Sequence, residues 1–199
     1  MVEFALVLPL LMILLLGVAD FGRLFSAGIT IEAAARDSGE IGAIERLRHK
    51  PPSPPIEPTL TDYYRALHLL VAKAACSEAR LLPNATFAEA TRDCPTMPAI
   101  LVCVHDGLDP ICGSPIDGFN AAPPGECSHL SGTWQAWDNG TGGASQSHFV
   151  EVRICYHFTT LFNLHLNLGL NTSIQLGDIW LQKERVFVVD CPPGDVTAC

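Results

Sequence analysis

From Phe4 to Ala19 the chain runs for sixteen residues without a charged side chain, Phe-Ala-Leu-Val-Leu-Pro-Leu-Leu-Met-Ile-Leu-Leu-Leu-Gly-Val-Ala. A segment that is apolar on every face must be enclosed by protein or lie in lipid. As a helix it spans about 24 Å, a little less than the roughly 30 Å hydrocarbon core of a bilayer, so Val2 and the flanking residues are needed to complete a crossing. Helical spacing continues past Asp20 through Phe21, Leu24, Phe25, Gly28, Ile31, Ala34, Ala35, Ile41, Ile44 and Leu47. One helix is therefore predicted from near residue 2 to about 48, stopped at Lys50-Pro51-Pro52-Ser53-Pro54-Pro55, where the prolines remove donors and hold the chain extended. Pro9 is expected to kink this helix, and Gly39 and Gly42 to weaken or bend its last third.

The remainder carries the eight cysteines, Cys76, Cys94, Cys103, Cys112, Cys127, Cys155, Cys191 and Cys199. Zinc sites call for close thiolate pairs, and none is present, so disulfides are expected, with the pairing left open among 105 arrangements. Disulfides persist where the compartment oxidises, which places the body outside the cytoplasm. The positive-inside rule points the other way, because Arg23, Arg36, Arg46, Arg48 and Lys50 all follow the apolar run. We give the cysteines more weight, since a basic leader ahead of Met1 would supply the missing charge. With 21 acids against 12 bases the net charge is −9, which argues against a phosphate backbone and hence nucleic acid as a partner.

Beyond the linker, Thr59 or Thr61 can cap a second helix reaching about Leu82, with Tyr64, Leu67, Leu70, Val71 and Ala74 on the face expected to pack on a sheet. Strands are predicted at 99–105, 148–158 and 173–189. In the second of these Val150, Val152, Ile154 and Tyr156 alternate with Phe149, Glu151, Arg153, Cys155 and His157, the pattern of a sheet covered on one face and wet on the other. Residues 106–147 are rich in Gly, Pro, Ser and Asn and show neither periodicity, so cross-linked local structure is expected there. The fold class is α+β: a long N-terminal transmembrane helix, then a small disulfide-rich head with a helix packed on an antiparallel sheet. The units are 1–50 (transmembrane and extended helix), 51–58 (proline linker) and 59–199 (head, with the Cys/Gly/Pro-rich insertion at 106–147).

Enzymatic signatures are lacking: there is no Gly-x-Ser-x-Gly elbow, phosphate loop or His-Glu-x-x-His helix. His105, Asp106 and Asp109, with the dispersed His129, His148, His157 and His165, do not form a metal-ligand pattern. No catalytic residue, cofactor or metal is expected. Trp134 and Trp137, beside the Gly-rich turn at 138–143, are read as packing residues first and as a ligand surface of the insertion second.

The run Val2-Glu3-Phe4-Ala5-Leu6-Val7-Leu8-Pro9-Leu10-Leu11, followed by Gly17, Asp20-Phe21-Gly22-Arg23 and Phe25, resembles the N-terminal signature of the TadE-like family of Flp (tight adherence) pilus assembly proteins. Residues 150–158, Leu161-Phe162 and Lys183-Glu184-Arg185 resemble its closing strands. The resemblance implies a pseudopilin or minor pilin in the bacterial cytoplasmic membrane, single-pass, with the head extracytoplasmic and a place in a surface pilus. It also implies a leader removed by a prepilin peptidase. Glu3 stands third here, where the family pattern has its glutamate fifth in the mature chain, so the expectation is a frame continuing upstream or an unprocessed member.

Seven residues are the expected assembly positions. Glu3 would neutralise a positive group on a neighbouring subunit or sit among headgroups at the helix start. Phe4 and Pro9 belong to the same signature. Gly17 and Gly22 would let helices approach closely. Asp20 and Arg23, three apart, would pair. The implied partners are other pilin or pilus-assembly subunits through this helix, membrane lipid, and a surface ligand of the 106–147 insertion. The alternative is a secreted or surface disulfide-rich binding module, with Gly17-Val18-Ala19 as a signal-peptidase site before Asp20.

Overall fold

The computed structural model describes residues 2–50, 59–106, 111–112, 125–130, 148–167 and 173–189. The proline linker, Trp134, Trp137, Cys191, Cys199 and most of the 106–147 insertion lie outside the described residues. Helix α1 runs Val2–Arg48 without interruption and contains Pro9. Helix α2 spans Thr59–Ala79. Among the described residues four strands follow: β1 Ala99–Asp106, the two-residue β2 Ile111–Cys112, β3 His148–Asn167 and β4 Ser173–Val189. They form one antiparallel sheet in the order β2-β1-β3-β4. The three longer strands agree with the apolar runs read in the sequence, and β3 continues nine residues past the expected end at 158.

The core sits where the second half of α1 crosses the sheet. Ala27, Ile31, Ala34, Ala35, Ser38 and Ala43 are buried there with Tyr64, Leu67, Val71, Ala75, Val102, Val150, Val152, Ile154, Tyr156 and Phe158. The buried stripe of α1 is made largely of small residues, whereas Phe21, Phe25, Ile41, Ile44 and Leu47, predicted on the apolar face, are exposed. Close approach of a helix to a pleated surface leaves room only for small side chains along the contact line, and bulky ones are displaced to its flanks. Gly39 and Gly42 mark the tightest points. A Cβ on Gly39 would run into the Phe187 ring, and one on Gly42 would come within 2.8 Å of Val71 and 2.9 Å of Val150. Their role is close packing of α1 against α2, β3 and β4, in place of the bend expected from their helix propensity.

Two further expectations are corrected. The inward face of α2 carries Tyr64, Leu67, His68, Val71, Ala72, Ala75, Cys76 and Ala79, while Leu70 is exposed and Ala74 only half-buried. The face is rotated because α2 packs on α1 as well as on β1. The second face of β3 is not wet: Phe149, Glu151, Arg153 and Cys155 are all buried. A segment containing a 3-10 turn at Ser128–Leu130 lies over it, and Ala99, Cys127, Leu130 and Cys155 form a second small core with Leu101 and Trp180. Alternation alone cannot show this cover, since it arrives from a distant, aperiodic part of the chain.

Among the described residues, three disulfides join Cys76 to Cys94, Cys103 to Cys112, and Cys127 to Cys155. The first ties the end of α2 to the loop before β1, the second links directly opposed positions of β1 and β2, and the third fastens the covering segment to β3.

Candidate assembly and membrane surface

The N-terminal half of α1 stands apart from the head. Phe4, Leu10, Leu11, Met12, Ile13, Leu14, Leu15 and Val18 are each more than half exposed. Among the described residues α1 is the one helix long and apolar enough to cross a membrane, and none of its apolar window is buried. Water would not tolerate so large a bare apolar surface, since monomeric soluble proteins rarely expose contiguous patches beyond a few hundred Å².

The predicted site residues divide into two groups. Phe4, Pro9, Gly17 and Gly22 are exposed, and a Cβ on either glycine would meet nothing within 4 Å. Glu3 lies in the first turns of α1 by its backbone, and its side chain is outside the described residues. Asp20 and Arg23, by contrast, are engaged within the chain. Arg23 Nη1 donates to Asp20 Oδ1 at 3.1 Å, the predicted i to i+3 pair. The Asp20 carboxylate also accepts the backbone N–H of Leu161 at 3.0 Å, and the Arg23 guanidinium lies 5.5 Å above the Phe158 ring. These two contacts with β3 were invisible in the sequence, because the partners are more than 130 residues away and carry no motif.

Immediately beyond the apolar run, an open cleft of about 330 Å³ separates α1 from β4. Its walls are Phe21, Leu24, Phe25, Gly28, Ile29 and Leu181, with Glu32 and Lys183 at the rim. Glu32 bridges the helix to the sheet through ion pairs with Lys183 at 3.3 Å and with Arg185. These groups are exposed enough that the pairs orient more than they stabilise.

The head holds a second polar cluster, which is buried. Glu151 Oε2 is 3.2 Å from His105 Nε2, and its other oxygen accepts a hydrogen bond from Arg153 Nε. Arg153 also lies 3.4 Å from Glu184 and donates from Nη1 to the His129 carbonyl at 2.6 Å. His105 stacks on Phe149 with ring centres 3.8 Å apart. Burial pushes the Glu151 carboxyl up, but the hydrogen bond to His105 and the charge and hydrogen bond of Arg153 outweigh it and hold the group below its ordinary value. Burial lowers the His129 imidazole. These side chains are consumed in fastening the covering segment to the sheet, aided by Gln182 Nε2 donating to the Glu126 carbonyl at 2.7 Å. Among the described residues no group of three or more His, Cys, Asp or Glu side chains is arranged to hold a metal ion.

No curated protein and no solved structure matches the chain. A family model does: the one described as TadE-like protein matches residues 1–39, which is the bare apolar half of α1 and its continuation as far as Gly39. The match does not extend to the strands at 150–158 and 183–185 where the sequence also resembles that family. The exposed apolar helix, with its glutamate-phenylalanine start and its aspartate-arginine pair, is thus a TadE-like N-terminal segment joined to a disulfide-bonded α+β head.

Proposed function

We propose that this protein is a membrane-anchored structural subunit, of the minor-pilin or pseudopilin kind, in the assembly of a Flp-type (tight adherence) pilus. It acts through helix packing and protein contacts rather than catalysis. The observation that carries the reading is one of position: the stretch that matches the TadE-like family, residues 1–39, contains Phe4, Leu10, Leu11, Met12, Ile13, Leu14, Leu15 and Val18, whose apolar surface the head leaves bare. Other pilin or assembly subunits cover that surface in the filament, and lipid covers it before assembly. Gly17 and Gly22, with open space beside them, are where a neighbouring helix approaches most closely. Glu3 is assigned to a positive group of that neighbour, since a carboxylate at the edge of lipid gains by pairing. The disulfides support an extracytoplasmic head, because such bonds persist in oxidising compartments.

The test is piliation. Deletion of the gene, or replacement by the Gly17→Leu, Gly22→Leu double variant, is expected to abolish surface pili counted by electron microscopy, with the purified variant's head unfolding at the wild-type temperature. Undiminished pili in the deletion strain would overturn the reading. So would a mature N-terminus at Asp20 by mass spectrometry, which would instead favour the secreted binding module.

A further inference from the structure

We propose that the cleft between α1 and β4 is a lipid site, which takes one acyl chain of an anionic phospholipid of the membrane and holds its phosphate through Lys183 and Arg185. The proposal rests on the reading of α1 as a membrane anchor and names the ligand of the anchor's upper end.

Three observations carry it. The first is place. A crossing of about twenty residues that starts after Glu3 ends near Arg23. The cleft begins at that level, with Phe21 as its lowest wall, and climbs past Leu24, Phe25, Gly28 and Ile29 to Glu32, about 16 Å along the helix axis. Leu181 of β4 forms the opposite wall. The lower end is therefore continuous with the bare apolar surface of residues 4–19, and the upper end stands beyond the hydrocarbon. Phe25 and Ile29 are still 65% and 56% exposed at that height, so apolar surface persists where the bilayer core no longer covers it.

The second is width. A volume of about 330 Å³ spread over about 16 Å has a mean section of about 20 Å². A helix, about 10–12 Å across, has a section of about 80–110 Å² and could only rest on the lips. A polymethylene chain, whose carbons stand about 4 Å from neighbouring atoms, has a section that fits within the slot. The shape thus favours an acyl chain over the helix of another subunit. Gly28 keeps the slot open, since a Cβ there would meet nothing within 4 Å.

The third is charge. Lys183 stands on the rim and pairs with Glu32 at 3.3 Å, and Arg185 pairs with the same carboxylate. Two cations against one acid leave a surplus positive charge, on a chain whose net charge is −9. The site is therefore apolar at its membrane end and cationic at its far end, the order of a phospholipid with an anionic head. Lys183 and Arg185 are both more than 40% exposed, so a phosphate can reach them. Arg offers paired N–H donors to phosphate oxygens, and the flexible Lys stem lets its ammonium follow the headgroup.

Photolabelling tests the site. The full chain is reconstituted in nanodiscs of phosphatidylcholine and phosphatidylglycerol at about 3:1, doped with phosphatidylglycerol that carries a diazirine in its acyl chain, irradiated, and mapped by mass spectrometry. Adducts are expected on 4–19 and also on 24–32 and 179–183. Gly28→Leu fills the slot and is expected to lower the adducts on 24–32 and 179–183 about fivefold, with those on 4–19 and the urea midpoint of the head unchanged. The same diazirine on phosphatidylcholine is expected to label the cleft about fivefold less than on phosphatidylglycerol, and the Lys183→Gln, Arg185→Gln double variant to abolish that preference. Wild-type labelling confined to 4–19 would overturn the lipid site, leave the cleft to a protein segment and leave the anchor standing. Cleft adducts equal in wild type and Gly28→Leu, or equal for the two lipids, would also overturn it. A wild-type chain with 4–19 unlabelled would overturn the anchor and the lipid site together.

Discussion

The Asp20 carboxylate accepts the backbone N–H of Leu161 at 3.0 Å, and so joins the first charged residue after the apolar run to a strand 141 residues further along. Arg23 shares the same carboxylate from one helical turn away. Together they lock the rotation of α1 about its axis relative to the sheet and set the level at which the head begins. An anchor held this way transmits its orientation to the head rather than swinging beneath it.

Replacing Asp20 by Ala should therefore loosen the junction without unfolding the head. The loss of one hydrogen bond and one ion pair at a partly exposed site costs about 1 kcal/mol. Amide hydrogen exchange at Leu161 is expected to quicken about fivefold, with the amides of Val150 and Val152 unaffected. An unchanged Leu161 rate would show that the contact holds nothing.

The glycines of α1 should separate by position. Gly39→Ala and Gly42→Ala place a methyl group against Phe187, or against Val71 and Val150, and are expected to destabilise the head by about 1–3 kcal/mol, the usual cost of overpacking. Gly17→Ala and Gly22→Ala meet nothing within 4 Å and should leave chemical denaturation of the head unchanged. Equal losses at all four positions would contradict the packing described.

The pH range of stability follows from three groups of the head, Glu151, His129 and Tyr156. Glu151 is held below its ordinary value, so its contribution is complete above the normal carboxylate range and is lost as the pH falls through its folded value. His129, lowered by burial, acts on the same side, beginning at the ordinary imidazole range. Tyr156 is raised by burial, so its contribution is complete below the ordinary phenol range and is lost as the pH rises through its folded value. Urea denaturation of the detergent-solubilised chain across pH should show a plateau bounded by an acid and an alkaline decline. Tyr156→Phe should remove the Tyr156 part of the alkaline decline.

Glu151→Gln should be far more damaging than an exposed carboxylate change. It removes the carboxylate that Arg153 Nε contacts in the buried face, and breaking a buried pair in this way costs about 3–5 kcal/mol. The same substitution should flatten the acid decline. A loss below about 1 kcal/mol in denaturant titration would refute the coupling.

Among the disulfides of the described residues, reduction should act mostly through Cys76–Cys94 and Cys127–Cys155, which close loops of 18 and 28 residues against 9 for Cys103–Cys112. The double variant Cys76→Ala, Cys94→Ala removes a closure of 18 residues, for which chain entropy gives about 3 kcal/mol. A shift in the denaturation midpoint of the head, with the α1 anchor still inserted, is the expected result. A midpoint equal to that of the wild-type chain would show that the bond adds no stability.

How much of this was legible from the residues differs from one element to another. Helix α1, α2 and the three longer strands followed from periodicity and from the stop at Pro51, because such signals are local and repeat many times within one element. The Asp20–Arg23 pair was legible for the same reason, being one turn apart. The Leu161 and Phe158 contacts of those residues were not, and neither was the cover over Glu151 and Arg153, which comes from residues 125–130 in a stretch with no period at all.

The residues alone determined that the chain has a bare apolar helix, that this helix continues unbroken into an α+β head, and that oxidised cysteines belong to the head, because composition and short-range spacing decide these. Only the tertiary structure decided which cysteines pair and that Gly39 and Gly42 mark the close approach of α1 to the sheet. It also decided that the second face of β3 is dry and that Asp20 is held against the Leu161 amide. Each of those depends on contacts between residues far apart in the chain, whose geometry is set by packing the whole domain and leaves no repeating trace in the sequence.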